Sequence, residues 1–174
     1  MRRLTVIVAL AAMLCGCGSQ ESYETMMDLP QEPVQAEQMV VMLNLPEQAS
    51  MQTMGTEQTG SVYFCDDYVL TVQTLPGGDL RKTVMETTGF APEQLPMIET
   101  VQGDAKRYMC VWTSAGETGN QVGRLTLLDD GSYHYILTAM AEESVAGKLS
   151  EGEWEQVFSS FKLIAPEDVV NSGS

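Results

Sequence analysis

A chain of 174 residues with 24 acidic side chains, 9 basic ones and a single His carries a formal charge of −15. That length suits one ordinary domain, and 44% apolar residues can bury a core, so the chain is not disordered throughout. The charge argues against nucleic acid, which needs a basic face to displace counterions, and against docking onto anionic lipid by electrostatics alone.

Arg2 and Arg3 open the chain, an apolar run from Leu4 to Leu14 follows, and Cys15-Gly16-Cys17-Gly18-Ser19 ends it. A positive start, a short apolar stretch and small residues form the layout of a secretory signal. Eleven residues rise only about 16 Å as a helix, roughly half the hydrocarbon thickness, so a permanent transmembrane helix is not expected. The end of the run resembles the bacterial lipoprotein signal, the lipobox. Leu14 stands three residues before Cys17 and Gly16 directly before it, while Cys15 at the middle position departs slightly from the pattern. The resemblance implies cleavage before Cys17, diacylation of its sulfur and a mature N-terminus at that residue. An ordinary secretory signal, or processing at Cys15, is the alternative. Cleavage before Cys17 leaves 24 acids against 7 bases, a charge of −17. Attachment to a bacterial membrane on its extracytoplasmic side then rests on acyl chains, for which dual acylation suffices.

Residues 17–38 read as an acidic flexible tether with two prolines and no helical or strand period. The domain is expected over 39–164, with 17 acids and all seven remaining bases, and 165–174 reads as a disordered tail. Met39 to Leu45 suits a first strand stopped by Pro46, and 47–60 a loop. Ser61 to Leu75 reads as a hairpin turning at Cys65-Asp66-Asp67. Asp79 can cap a helix that Gly89 closes. A long loop is expected over 90–105, then strands at 106–114, 121–128 and 133–140, the last two joined by Asp129-Asp130-Gly131-Ser132. A final helix opens on a Ser150/Glu153 capping box and aligns Trp154, Val157, Phe158 and Phe161 on one stripe, with Lys162 in its last turn. The pattern predicts an α+β domain: an antiparallel sheet of five to six strands, with a C-terminal amphipathic helix and one further helix packed on it.

Leu43-Asn-Leu-Pro46, Arg107-Tyr108…Trp112, the 128–135 hairpin and the closing Trp154…Leu163 together resemble small extracytoplasmic domains of the PsbP-like family. The resemblance spans about 39–164 and implies the fold rather than any chemistry, because each of its motifs is a core or turn feature. Founding members of that family are thylakoid-lumen proteins that act by binding.

Candidate reactive groups are few. Cys65 and Cys110 could close a disulfide in an oxidising compartment, or remain separate thiols. His134 is the lone histidine and alternates with Tyr133 and Tyr135, so it points to the opposite face of its strand. Alone it completes neither a zinc site nor a catalytic pair. Asp66-Asp67 and Asp129-Asp130-Gly131 carry oxygens suited to Ca²⁺ but lack the calcium-loop spacing, and hairpin turns account for both. Glu142-Glu143 and Glu151, Glu153, Glu155 read as solvated faces and a helix start. Tyr63, Tyr68, Tyr108, Trp112, Tyr133 and Tyr135 read as core packing, with an exposed binding face as the alternative. Nucleophile elbow, P-loop, dinucleotide and zinc-protease motifs are absent from the sequence. The expectation is a lipid-anchored, non-enzymatic binding or accessory module that uses no metal or cofactor. Its partners would be the membrane and a cell-envelope protein or ligand, met on the sheet or on the 90–105 loop. An envelope enzyme with a cryptic site and a small-ligand receptor are the other readings.

Overall fold

The computed structural model describes residues 37–53, 60–117 and 119–171. The signal segment, Cys17 and most of the tether lie outside them. In chain order the elements are β1 (Val40–Met42), β2 (Ser50–Thr53), β3 (Gly60–Phe64), β4 (Tyr68–Pro76) and α1 (Leu80–Thr88). A short 3-10 turn, Pro92–Gln94, precedes β5 (Ile98–Gln102), β6 (Ala105–Ala115), β7 (Asn120–Asp129) and β8 (Tyr133–Glu142). Then come α2 (Glu143–Ser150), α3 (Glu153–Ser160), β9 (Lys162–Ile164) and α4 (Pro166–Asn171). Among the described residues no helix is long and apolar enough to cross a membrane.

Seven strands form one antiparallel sheet in the order β2-β3-β4-β8-β7-β6-β5, and β1 pairs with β9 as a separate two-stranded ribbon. Local chemistry sets the sharpest connections. In the β7–β8 turn the Asp129 carboxylate accepts from the Gly131 amide at 2.8 Å. Asp130 accepts from the Ser132 and Tyr133 amides at 2.8 and 2.7 Å, and Gly131 takes φ +90°, where a Cβ would be strained. The α1 helix starts with Asp79 accepting from the Lys82 amide and ends at Gly89 in the left-handed region, its amide returned to Met85.

Both faces of the central strands are covered, so alternation distributes apolar side chains to two cores. Leu70, Leu128, Tyr135, Leu137 and Ala139 meet Leu149, Trp154, Val157, Phe158 and Phe161 of the α2–α3 layer. On the opposite face Tyr108, Cys110, Trp112, Leu125, Leu127 and Ile136 pack with Val84 of α1. Burying each large side chain contributes about 1.5–3 kcal/mol, which keeps the Trp154, Val157 and Phe158 face of α3 docked; Phe161, expected on the same helical stripe, is buried just past the end of α3 in extended conformation.

Several expectations need correction. The sheet is wider than five to six strands because the expected loops at 47–60 and 90–105 contain β2 and β5. The apolar start of the domain contributes only three strand residues and joins β9 rather than the main sheet. Ser150 is not a helix cap: it is the last residue of α2, and α3 begins after Gly152 without a side-chain cap. Glu142 and Glu143 are exposed, as expected of a solvated pair, where β8 passes into α2. Lys162 has left the helix and begins β9, and residues 166–171 of the expected tail form α4.

Candidate functional site

One end of the main sheet gathers the β5–β6 turn, the β7–β8 turn and the start of β8. The chain enters there at Glu37 and Met39, and β9 crosses the same end. Between them lies a cavity of about 640 Å³. Met39, Ala105, Leu163, Ile164 and Ala165 supply its apolar surface, and Glu37, Asp104, Asp130, Asp168 and Lys162 its polar rim. Tyr135 fastens the assembly. Its buried hydroxyl donates to Asp130 Oδ2 at 2.9 Å and accepts from the Met39 amide at 2.8 Å. Burial foremost, and the Asp130 carboxylate beside it, push the Tyr135 phenol well above the ordinary tyrosine range. Asp130 thus has both oxygens engaged in structure. Smaller depressions lie elsewhere, including one between β1 and β3–β4 and one between the β1–β2 connection and α3.

A second polar arrangement holds the C-terminal end of α3. Arg107 Nη2 donates to the Phe158 carbonyl at 3.1 Å, and Gln102 Nε2 to the Phe161 carbonyl at 3.1 Å. Gln102 in turn accepts from Arg107 Nη1 at 3.2 Å. A cation on the last carbonyls complements the helix dipole. Burial first, then the neighbouring Arg124, pull the Arg107 guanidinium below its ordinary value, with Glu155 acting against them. Arg124 itself bonds Glu155 at 3.1 Å and lies 4.5 Å over the Phe158 ring.

The residues singled out in the sequence do not converge. His134 is 1% exposed beneath α1, its Nδ1 2.9 Å from the Thr83 hydroxyl. Its Nε2 has no hydrogen-bond partner and lies 4.0 Å from an Asp129 oxygen, too long for a bond. Asp66 and Asp67 are exposed in the β3–β4 turn, remote from Asp129 and Asp130, whose oxygens serve the β7–β8 turn. Among the described residues no three His, Cys, Asp or Glu side chains cluster to hold a metal. Glu143 accepts from Asn120 and Glu155 from Arg124, while Glu153 lies near Gln48.

Of the two states left open for the cysteines, the structure has the separate one: both are free thiols. Cys65 sits in the β3–β4 turn against the α2–α3 core and Cys110 in the core on the other face. Two strands, β8 and β7, intervene between β4 and β6, a lateral span of about 14 Å that no disulfide bridges. Burial pushes the Cys110 thiol up to about 11, and burial also raises Cys65. Tyr68, Tyr108, Trp112 and Tyr135 are core residues, divided between the two faces rather than lining one open face.

The cavity itself carries no sequence motif. Its walls come from positions between 37 and 168, and only strand pairing brings them together.

No protein-family model matches the chain, and no curated protein matches it. Among solved structures, a protein of Bacteroides thetaiotaomicron VPI-5482 superposes with TM-score 0.51 at 10% identity over 73% of this chain. The match spans 46% of that protein, less than half its length, and the likeness is one of fold. LpqN, involved in cell envelope biogenesis of Mycobacterium tuberculosis, superposes with TM-score 0.47 at 13% identity, covering 72% of this chain and 84% of its own.

Proposed function

We propose that the mature chain is a lipid-anchored, extracytoplasmic binding module of the bacterial cell membrane, held by acylated Cys17 and without catalytic activity. In this reading its domain is of the PsbP-like kind and takes a cell-envelope ligand or protein segment in the cavity at the end of the sheet. The observation that carries the reading is that cavity. Its size lies within the range of natural ligand sites, and it sets an apolar wall beside a charged rim. With Asp130 engaged, the rim still offers Glu37, Asp104 and Asp168 against Lys162, so an apolar ligand with a positive group fits best. The lone histidine supports binding over catalysis, because it is packed beneath α1 and has no access to the cavity.

Two experiments test the reading. Metabolic labelling with a fatty-acid analogue should mark the wild-type chain and not Cys17→Ala; equal labelling of both refutes the anchor. Capture from solubilised envelope by the intact lipoprotein should recover a ligand or partner, and Asp104→Lys should lose it. Asp104 is exposed in a turn, so this reversal changes the rim without disturbing a core. Undiminished capture by Asp104→Lys places binding elsewhere, and capture of nothing by wild type overturns the function.

A further inference from the structure

The outer strand β5 is an unguarded edge. Its sequence, Ile98-Glu-Thr-Val-Gln102, contains no proline and no lysine, the usual devices that keep an edge from pairing. Among the described residues β6 is its only strand partner. Two apolar side chains stand in solvent, one on each face: Ile98 at 58% exposure and Val101 at 72%. The opposite edge strand, β2, leads into residues outside the described set.

We propose that β5 pairs with β5 of a second copy of this chain, antiparallel about a twofold axis at Thr100. A twofold axis normal to the sheet keeps each side chain on its own face, so only registers that pair odd with odd and even with even positions are open. Centring on Glu99 would oppose two carboxylates directly. Centring on Val101 sets Ile98 against Asp104 and leaves Lys106 flanking on both sides. Centring on Thr100 sets Thr100 against Thr100, Ile98 against Gln102, and Glu99 against Val101.

Lys106 lies beside Val101 in the β5–β6 register. In the Thr100 register the second copy's carboxylate at position 99 therefore stands across Val101 from Lys106, on the same face. Two strand spacings, about 9.5 Å, separate their backbones, within the combined reach of a Glu and a Lys side chain. The pairing repeats by symmetry, so charge complementarity selects both the occupant and the register. The product is a continuous fourteen-stranded sheet, made from two seven-stranded ones. Each domain is acidic, so long-range repulsion opposes the approach, but at physiological salt it is screened beyond about 8 Å. Confinement of tethered copies to one membrane raises their effective concentration.

The test uses the full lipoprotein in its own membrane. Opposed strand residues lie about 4.5–5.5 Å apart between Cα atoms, a separation a disulfide spans. Thr100→Cys should therefore give a reducible dimer on a non-reducing gel. Ile98→Cys should not, because the two copies of position 98 lie four residues apart along the ladder. Adding Glu99→Lys to Thr100→Cys replaces an exposed carboxylate with a lysine that stands across Val101 from the second copy's Lys106. It should lower the dimer fraction about tenfold, the effect of 1.4 kcal/mol in association. Absence of a dimer with Thr100→Cys, equal dimer with Ile98→Cys, or a crosslinked band of another mass overturns the proposal. Ligand capture in the cavity reads out separately, so neither result decides the other.

Discussion

Gly123 is the position where one methyl group should cost most for its size. It lies on β7 between Trp112 of β6 and Met140 of β8. An ideal Cβ there would stand 2.2 and 2.3 Å from two indole carbons of Trp112 and 2.7 Å from the Met140 sulfur. Carbon atoms rest about 3.5–4.0 Å apart, so the indole must retreat by roughly 1 Å or more. The methionine can swing its thioether aside, whereas Trp112 is 7% exposed and wedged in the α1 core. Overpacking of this kind costs about 1–3 kcal/mol, and replacing a strand glycine by alanine returns about 0.5–1 kcal/mol of chain entropy. The expected net loss for Gly123→Ala is about 1–2 kcal/mol. Urea unfolding followed by far-ultraviolet circular dichroism measures it as a lowered midpoint with an unchanged slope. The same substitution in a Trp112→Ala background should be neutral or mildly stabilising, since the ring is gone. An equal loss in both backgrounds, meaning no coupling between the two positions, would refute the steric account.

Three other outcomes follow from the same structure. Asp130→Ala removes the acceptor of two turn amides and of the buried Tyr135 hydroxyl, and should lower unfolding stability by about 2–3 kcal/mol; a loss under about 0.5 kcal/mol would show the turn does not depend on it. Burial raises the phenols of Tyr68 and Tyr135, so the unfolded chain loses those protons first as pH climbs past 10. Their stabilisation is therefore complete below pH 10 and fades above it; Tyr135→Phe should flatten the decline in denaturant midpoint between pH 10 and 11.5, and an unchanged slope would contradict the assignment. Cys110, buried and titrating near 11, should resist iodoacetamide at pH 8 in the native protein and react fully once unfolded; intact-mass analysis reads both states, and rapid native labelling would overturn the burial.

The elements legible in the sequence are those whose cause lies within a few residues. Asp129-Asp130-Gly131 carries its own turn in two carboxylates and a glycine at positive φ. Asp79 and Gly89 carry the two ends of α1. The Trp154, Val157 and Phe158 spacing is a single helical face, with Phe161 buried beside it but beyond the helix end, and alternation along 133–140 already separates His134 from Tyr135. Segments that depend on distant partners were not legible. Ile98–Gln102 is polar enough to pass for loop and becomes a strand because β6 offers its ladder. Lys162–Ile164 leaves the helix because β1, more than a hundred residues away, completes its hydrogen bonds. Ser150 and Glu153 have the spacing of a capping box, but α2 claims Ser150 first.

By itself, then, the sequence determined the acidic composition, the lipobox-like start, the turn chemistry and which side chains share a face. These follow from local backbone preference and from the periods of helix and strand. Tertiary structure alone decided that the two thiols stay apart, that His134 is buried, that β5 ends the sheet and that a cavity opens beside β9. Each of those depends on which strands lie side by side, and strand order is a long-range property that no window of neighbouring residues encodes.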